Sequence, residues 1–168
     1  MAATTLADAR AIAASVTDPE LPQLTLADLG VLRDVRVSDD GTVVVSITPT
    51  YSGCPAMEVM RRDLRAALLD AGYPQVEVRT VLSPPWSSDW ITPEGRRKLA
   101  AAGIAPPGPA PRRSGPVLVQ LGPPRQTVAC PQCGSPDTTE ISPFSGTACK
   151  ALRRCEACHE PFEHVKEL

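Results

Sequence analysis

VLRDVRVSDDGTVVVSITPTYSGCPAMEVMRRDLRAALLDAGYPQVEVRTVL, residues 31–82, changes its hydrophobic period twice. At its start Val35 and Val37 alternate with polar neighbours and Val43 to Ile47 is β-branched, which predicts two strands joined by a turn at Asp39-Asp40-Gly41. From 55 to 71 the period lengthens to that of a helix: Met57, Met60, Leu64, Ala67 and Leu68 share a face, while Arg61, Arg62 and Arg65 lie largely off it. Gly72 supplies the stop, and residues 75–82 alternate again as a third strand. Working outward, residues 4–15 have helical spacing. Residues 92–103 predict a short helix with Thr92 as N-cap, Pro93 in its first turn and Gly103 as stop. The order α-β-β-α-β-α predicts a compact α+β domain with its helices on one face of the sheet.

The rest of the 168-residue chain is divided by its 19 prolines. GIAPPGPAPRRSGP (103–116) cannot be regular helix or central strand, because each proline removes an amide donor and restricts the residue before it. The expected organisation is a domain over 1–103, a Pro-rich linker over 104–126, with PVLVQLG (116–122) as a candidate strand, and a Cys-rich domain over 127–168. With 17 Lys and Arg against 19 Asp and Glu, nothing drives broad binding to nucleic acid or an anionic membrane. No segment has the roughly 18 apolar residues that a span requires, and the N-terminal stretch lacks a basic region followed by an apolar run. A cytoplasmic protein is expected, in which CxxC pairs point to metal or redox work rather than disulfides.

CPQC (130–133) and CEAC (155–158) are two such pairs, with 21 residues between Cys133 and Cys155. A CxxC turn offers two sulfurs from one loop, and two turns facing each other complete a tetrahedral site. A tail this short buries too little to fold alone and needs the metal as its core. Cys130, Cys133, Cys155 and Cys158 are therefore the expected ligands of a zinc-ribbon-like domain. Cys149 is either a candidate fifth ligand, which would favour an iron–sulfur cluster over zinc, or a small buried hydrophobe. His159 and His164 are outer candidates.

Cys54 stands apart from these five thiols, just before Pro55 and the central helix. Near a helix N-terminus a thiolate is stabilised and becomes a better nucleophile and metal ligand; the alternative is an inert cysteine packed under its loop. Neither histidine lies in this domain, so Cys-His hydrolysis has little support. Trp86 and Trp90, in PPWSSDWITPEG, are either a partner-binding anchor or a cap on the sheet's open edge.

SVTDPELPQLTLADLGVLRDVRV (15–37) followed by ITPTYSGCPAMEVMRRDL (47–64) resembles the iron–sulfur assembly and targeting proteins of the SufT and MIP type, through Asp18-Pro19-Glu20, Asp28-Leu29-Gly30 and the Thr50-to-Pro55 loop. The later segments 84–107, 130–135 and 142–166 resemble a narrower family, the PaaD/PaaJ-type accessory subunits of the phenylacetyl-CoA oxygenase (epoxidase). These resemblances imply a non-catalytic role in aerobic phenylacetate degradation, assisting delivery of an iron–sulfur cluster or iron to the reductase or oxygenase subunits. They imply that Cys54 is a transient cluster or iron ligand and make Asp18, Glu20 and Thr50 candidates for the same loop site, although a capping or turn role explains each of the three. The alternatives are a docking subunit and an electron-transfer subunit with a permanent cluster. Dimerisation through Cys54 is left open.

Overall fold

A computed structural model describes residues 5–51, 53–110 and 127–168. The candidate strand at 116–122 lies outside the described residues. The chain divides into two compact units between Lys98 and Leu99.

The first unit follows the expected order. Helix α1 (Leu6–Ser15) is capped by Thr5, whose hydroxyl accepts the Asp8 amide while the Asp8 carboxylate accepts the Thr5 amide. Strands β1 (Leu32–Val37) and β2 (Thr42–Ile47) form an antiparallel hairpin closed at Gly41, which takes φ 82°. Helix α2 (Ala56–Asp70) then crosses over to β3 (Gln75–Thr80), which runs parallel to β2, giving the sheet order β1-β2-β3. Val43, Val45 and Ile47 are fully buried, and their register partners Val76, Val78 and Thr80 continue the same face. Ala9 and Ala13 of α1 and Met60, Leu64 and Leu68 of α2 complete this core; the two helices touch each other as well as β1 and β3. Arg36, Gln75, Glu77 and Arg79 leave the opposite face polar and exposed.

The Asp28-Leu29-Gly30 triplet ties the start of helix α3 (Pro93–Ala101) to this body. Asp28 caps a turn with Thr25, the two exchanging side-chain-to-amide bonds of 3.0 and 3.1 Å. Its carboxylate also accepts Lys98 Nζ at 2.7 Å, and its carbonyl accepts the Thr92 amide at 2.9 Å. Thr92 caps α3 as expected, accepting the Gly95 amide at 3.0 Å. The approach is close: a Cβ on Gly95 would lie 2.7 Å from the Asp28 carbonyl oxygen. Gly30, at φ 68°, is held 2.6 Å from Trp90 Cβ by the same measure, so both packing and backbone require glycine there.

The second unit is a four-stranded sheet in the order β4-β7-β6-β5, from β4 (Ile104–Ala105), β5 (Thr138–Ser142), β6 (Lys150–Cys155) and β7 (Pro161–Val165). The segment expected to open the linker thus starts as an edge strand. Ile104 and Ala105 pair with Glu163 and His164, and the Gly108 amide donates to Glu167 at 2.8 Å. The prolines follow directly at 106 and 107, where a strand on an edge can stop without leaving an inner partner unpaired.

Candidate functional site

In the second unit the sulfurs of Cys130, Cys133, Cys155 and Cys158 all lie within 4.8 Å of one another. Each knuckle is built alike. The Cys130 carbonyl accepts the Gly134 amide and the Cys130 amide donates to the Ser135 carbonyl; Cys155, His159 and Glu160 repeat this pattern. The residue after each second cysteine takes a left-handed backbone, φ 75° at Gly134 and φ 63° at His159. That explains His159, whose ring nitrogen faces Arg154 at 3.3 Å rather than the sulfurs.

The donor set fits a tetrahedral metal. Four sulfurs at the ~2.3 Å bond length of zinc thiolates would stand about 3.8 Å apart, against 3.8 Å for Cys130–Cys158 and 3.5 Å for Cys133–Cys155. Cys155 is held at about 7, chiefly by the Cys158 amide. The Glu160 amide pulls Cys158 down, but burial and the three neighbouring thiols outweigh it and push this thiol up to about 12. Four thiols this close cannot all ionise without a cation to compensate them, so metal binding here releases protons.

Cys149 lies outside the four-sulfur cluster. It precedes β6 and Cys155 ends it, so about six residues of extended chain, ~20 Å, separate them. Its sulfur lies 3.1 Å from the Thr147 hydroxyl. His164 is buried in β7, with Nε2 3.4 Å from a Glu167 carboxylate oxygen.

In the first unit Cys54 is half-buried on the loop before α2. Its amide donates to the Tyr51 carbonyl at 3.3 Å and its carbonyl accepts the Met57 amide at 3.3 Å. Pro55, with helical φ and ψ, is the N-cap itself, and no side chain caps this end of α2. The thiol lines an open cavity of about 430 Å³ together with Tyr51, Met57, Arg61 and Leu82. Arg61 donates to the Thr80 hydroxyl across this cavity. Thr50 lines an adjoining cavity of about 340 Å³ that shares Pro49, Tyr51 and Leu82 with the first.

Asp18 and Glu20 line neither cavity. Asp18 is buried, and its carboxylate accepts the Glu20 and Leu21 amides at 2.8 Å each, the turn role weighed from sequence. Trp86 is likewise a core residue, 6% exposed, with its indole N–H donating to the Leu29 carbonyl at 2.9 Å. It is unavailable as an exposed anchor. Trp90 is half-buried under the Arg33 guanidinium, 3.6 Å from the ring centre. Sequence reading passed over Arg61 as a site residue. Arg61 carried a usable signal, falling seven positions, two helical turns, after Cys54.

Comparison with known proteins accounts for both units. Residues 7–82 match the family profile described as iron-sulfur cluster assembly protein, and residues 114–166 match the PaaD zinc beta ribbon domain. A relative from Escherichia coli (strain K12), named as a subunit of 1,2-phenylacetyl-CoA epoxidase, is 44% identical over 156 residues, 93% of this chain and 89% of its own. The chain belongs to the PaaD family of phenylacetyl-CoA epoxidase subunits. PaaD proteins share their first domain with shorter relatives. The Fe-S protein maturation auxiliary factor SufT of Staphylococcus aureus (strain USA300) is 35% identical over 80 residues, covering 46% of this chain and 88% of its own. A crystal structure titled as a domain of unknown function, DUF59, from Bacillus anthracis superposes with a TM-score of 0.52 at 27% identity, covering 56% of this chain and 90% of its own. The PaaD architecture is thus an assembly-type α+β domain joined to a ribbon with a four-cysteine cluster. Among the described residues, no helix is long and apolar enough to cross a membrane.

Proposed function

We propose that this chain is a cytoplasmic accessory maturation component of a phenylacetyl-CoA epoxidase. It would assist delivery of an iron–sulfur cluster or iron to the reductase or oxygenase subunits, with Cys54 as a transient ligand of the cargo. The observation that carries this reading is the placement of Cys54: a half-buried thiol in an open cavity, on the domain shared with proteins named as Fe-S maturation factors. The open cavity lets a second protein approach and take the cargo. Thr50, in the adjoining cavity, is the one further loop residue we retain as a contact to the cargo. In the ribbon we assign zinc to Cys130, Cys133, Cys155 and Cys158, where the closed four-sulfur set serves folding rather than exchange.

The test is metal and acid-labile sulfide per chain, with a visible spectrum, on anaerobically purified wild type and Cys54→Ser. Zinc in both, with iron and sulfide only in the wild type, is expected. Equal iron and sulfide in both would move the cluster to the ribbon and remove the cargo role of Cys54.

A further inference from the structure

The outward stripe of α2 is more basic than the chain as a whole. Glu58, Arg61, Arg62, Arg65, Ala66 and Leu69 recur at helical spacing and, with Val78 of β3, line a groove of about 430 Å³. Three guanidiniums face one carboxylate there, in a protein of net charge −2. Arg62 is neutralised by Asp63 at 3.0 Å, but Arg61 reaches Glu58 only at 3.9 Å. The Arg61 Nε is buried with no hydrogen-bond partner, and Arg65 has no carboxylate within ion-pair distance among the described residues. The Arg61 side chain, 42% exposed, and the exposed Arg65 leave this stripe with uncompensated positive charge, which suits an anionic partner.

Three further features give the occupant's shape. β3 is an edge strand, so among the described residues its outer backbone groups have no strand partner. From Glu58 to Leu69 the helix rises about 16 Å, the span of roughly five residues of extended chain. The groove is continuous with the Cys54 cavity, because Glu58 and Arg61 line both.

We propose that this groove docks an acidic, extended segment of a client protein, which pairs with the outer edge of β3, sets its carboxylates on Arg61 and Arg65, and runs on toward Cys54. Alternate side chains of such a segment would meet Val78 and Leu69, the latter 43% exposed. The inference rests on the cargo reading of Cys54 and gives it a direction: the client's own ligands arrive beside the thiol that releases the cluster.

The test uses the full chain and a fluorescein-labelled peptide of Glu-Val repeats, without cysteine, followed by anisotropy. Saturable binding that weakens with salt is expected in the wild type and in Cys54→Ser. A loss of about tenfold is expected in Arg65→Glu. Arg65→Gln, which removes one guanidinium and reverses no charge, covers any disturbance of α2 and should lose about threefold. Undiminished binding in both arginine variants overturns the proposal. So does displacement of the peptide by an equal concentration of coenzyme A, which would assign the groove to a phosphorylated small molecule. Because the peptide carries no cluster, failure of the cargo reading shows separately, as iron and sulfide retained by Cys54→Ser while peptide binding stands.

Discussion

Replacing Asp28 by alanine should destabilise the first unit by about 3 kcal/mol, and the figure can be assembled from its bonds. The carboxylate accepts the Thr25 amide, the Lys98 ammonium and, at 3.4 Å, the Thr92 hydroxyl. Loss of the cap on Thr25 costs about 1 kcal/mol. The charged bond to Lys98 would contribute about 1.5–3 kcal/mol if fully buried, but the Lys98 side chain is 32% exposed, so solvent screening holds it near 1.5 kcal/mol. The long Thr92 bond adds roughly 0.5 kcal/mol. Asp28→Asn keeps the shape and the acceptor for Thr25 and should cost only about half as much. For a unit of this size the alanine variant should melt lower by about 12 °C or more in scanning calorimetry. pH supplies an independent check. Burial pushes the Asp28 carboxyl up, yet hydrogen bonds from Lys98 and Thr25 outweigh it and hold the group below the ordinary 3.8. A carboxylate depressed in the native state stabilises fully above the unfolded value and loses that contribution as pH falls through the native one. The gap between wild type and Asp28→Asn should therefore close below about pH 4. A penalty for Asp28→Ala of less than about 1 kcal/mol, or a gap that does not change with pH, would refute this account.

The ribbon knuckles predict opposite effects of opposite swaps. Gly134→Ala, whose Cβ would meet nothing within 4 Å, should destabilise by about 1 kcal/mol through its φ of 75° alone, whereas His159→Gly should stabilise by about 0.5 kcal/mol; thermal melts of the metal-loaded protein check both. Removing the metal with a chelator should erase hydrogen-exchange protection in β5, β6 and β7 and leave β1, β2 and β3 protected, since a small ribbon folds on its metal. Cys149→Ser should leave the metal-to-chain ratio unchanged, whereas Cys155→Ser should lower it. Leu64→Ala, at a fully buried position of α2, should cost about 2–5 kcal/mol in denaturant titration.

What the sequence disclosed was local. The turn at Gly41, the face of α2 and the two CxxC knuckles each depend on residues within a few positions of one another, and each was legible. The bond between Asp28 and Lys98 joins positions 70 apart, and no periodicity announces it. β4 has two residues and no pattern; its pairing with β7 alone makes it a strand. Trp86 shows the same limit. PPW admits an exposed anchor or a cap on the sheet's open edge, with the core reading slightly ahead, and the Leu29 carbonyl, 57 positions away, decides it. Cys149 is open to both readings, ligand or buried hydrophobe, because spacing in sequence says little about distance once a strand holds the chain straight.

The distribution of aromatic residues has an optical consequence. Both tryptophans and both tyrosines, at 86, 90, 51 and 73, fall in the first unit, and the ribbon carries only Phe144 and Phe162. Emission excited at 280 nm therefore reports on the assembly domain and is blind to the ribbon. Cobalt substituted at the four cysteines would report the ribbon through thiolate charge-transfer bands. Two colours thus follow two folding reactions in one cuvette, and any coupling between the units would show as one signal moving when only the other has been perturbed.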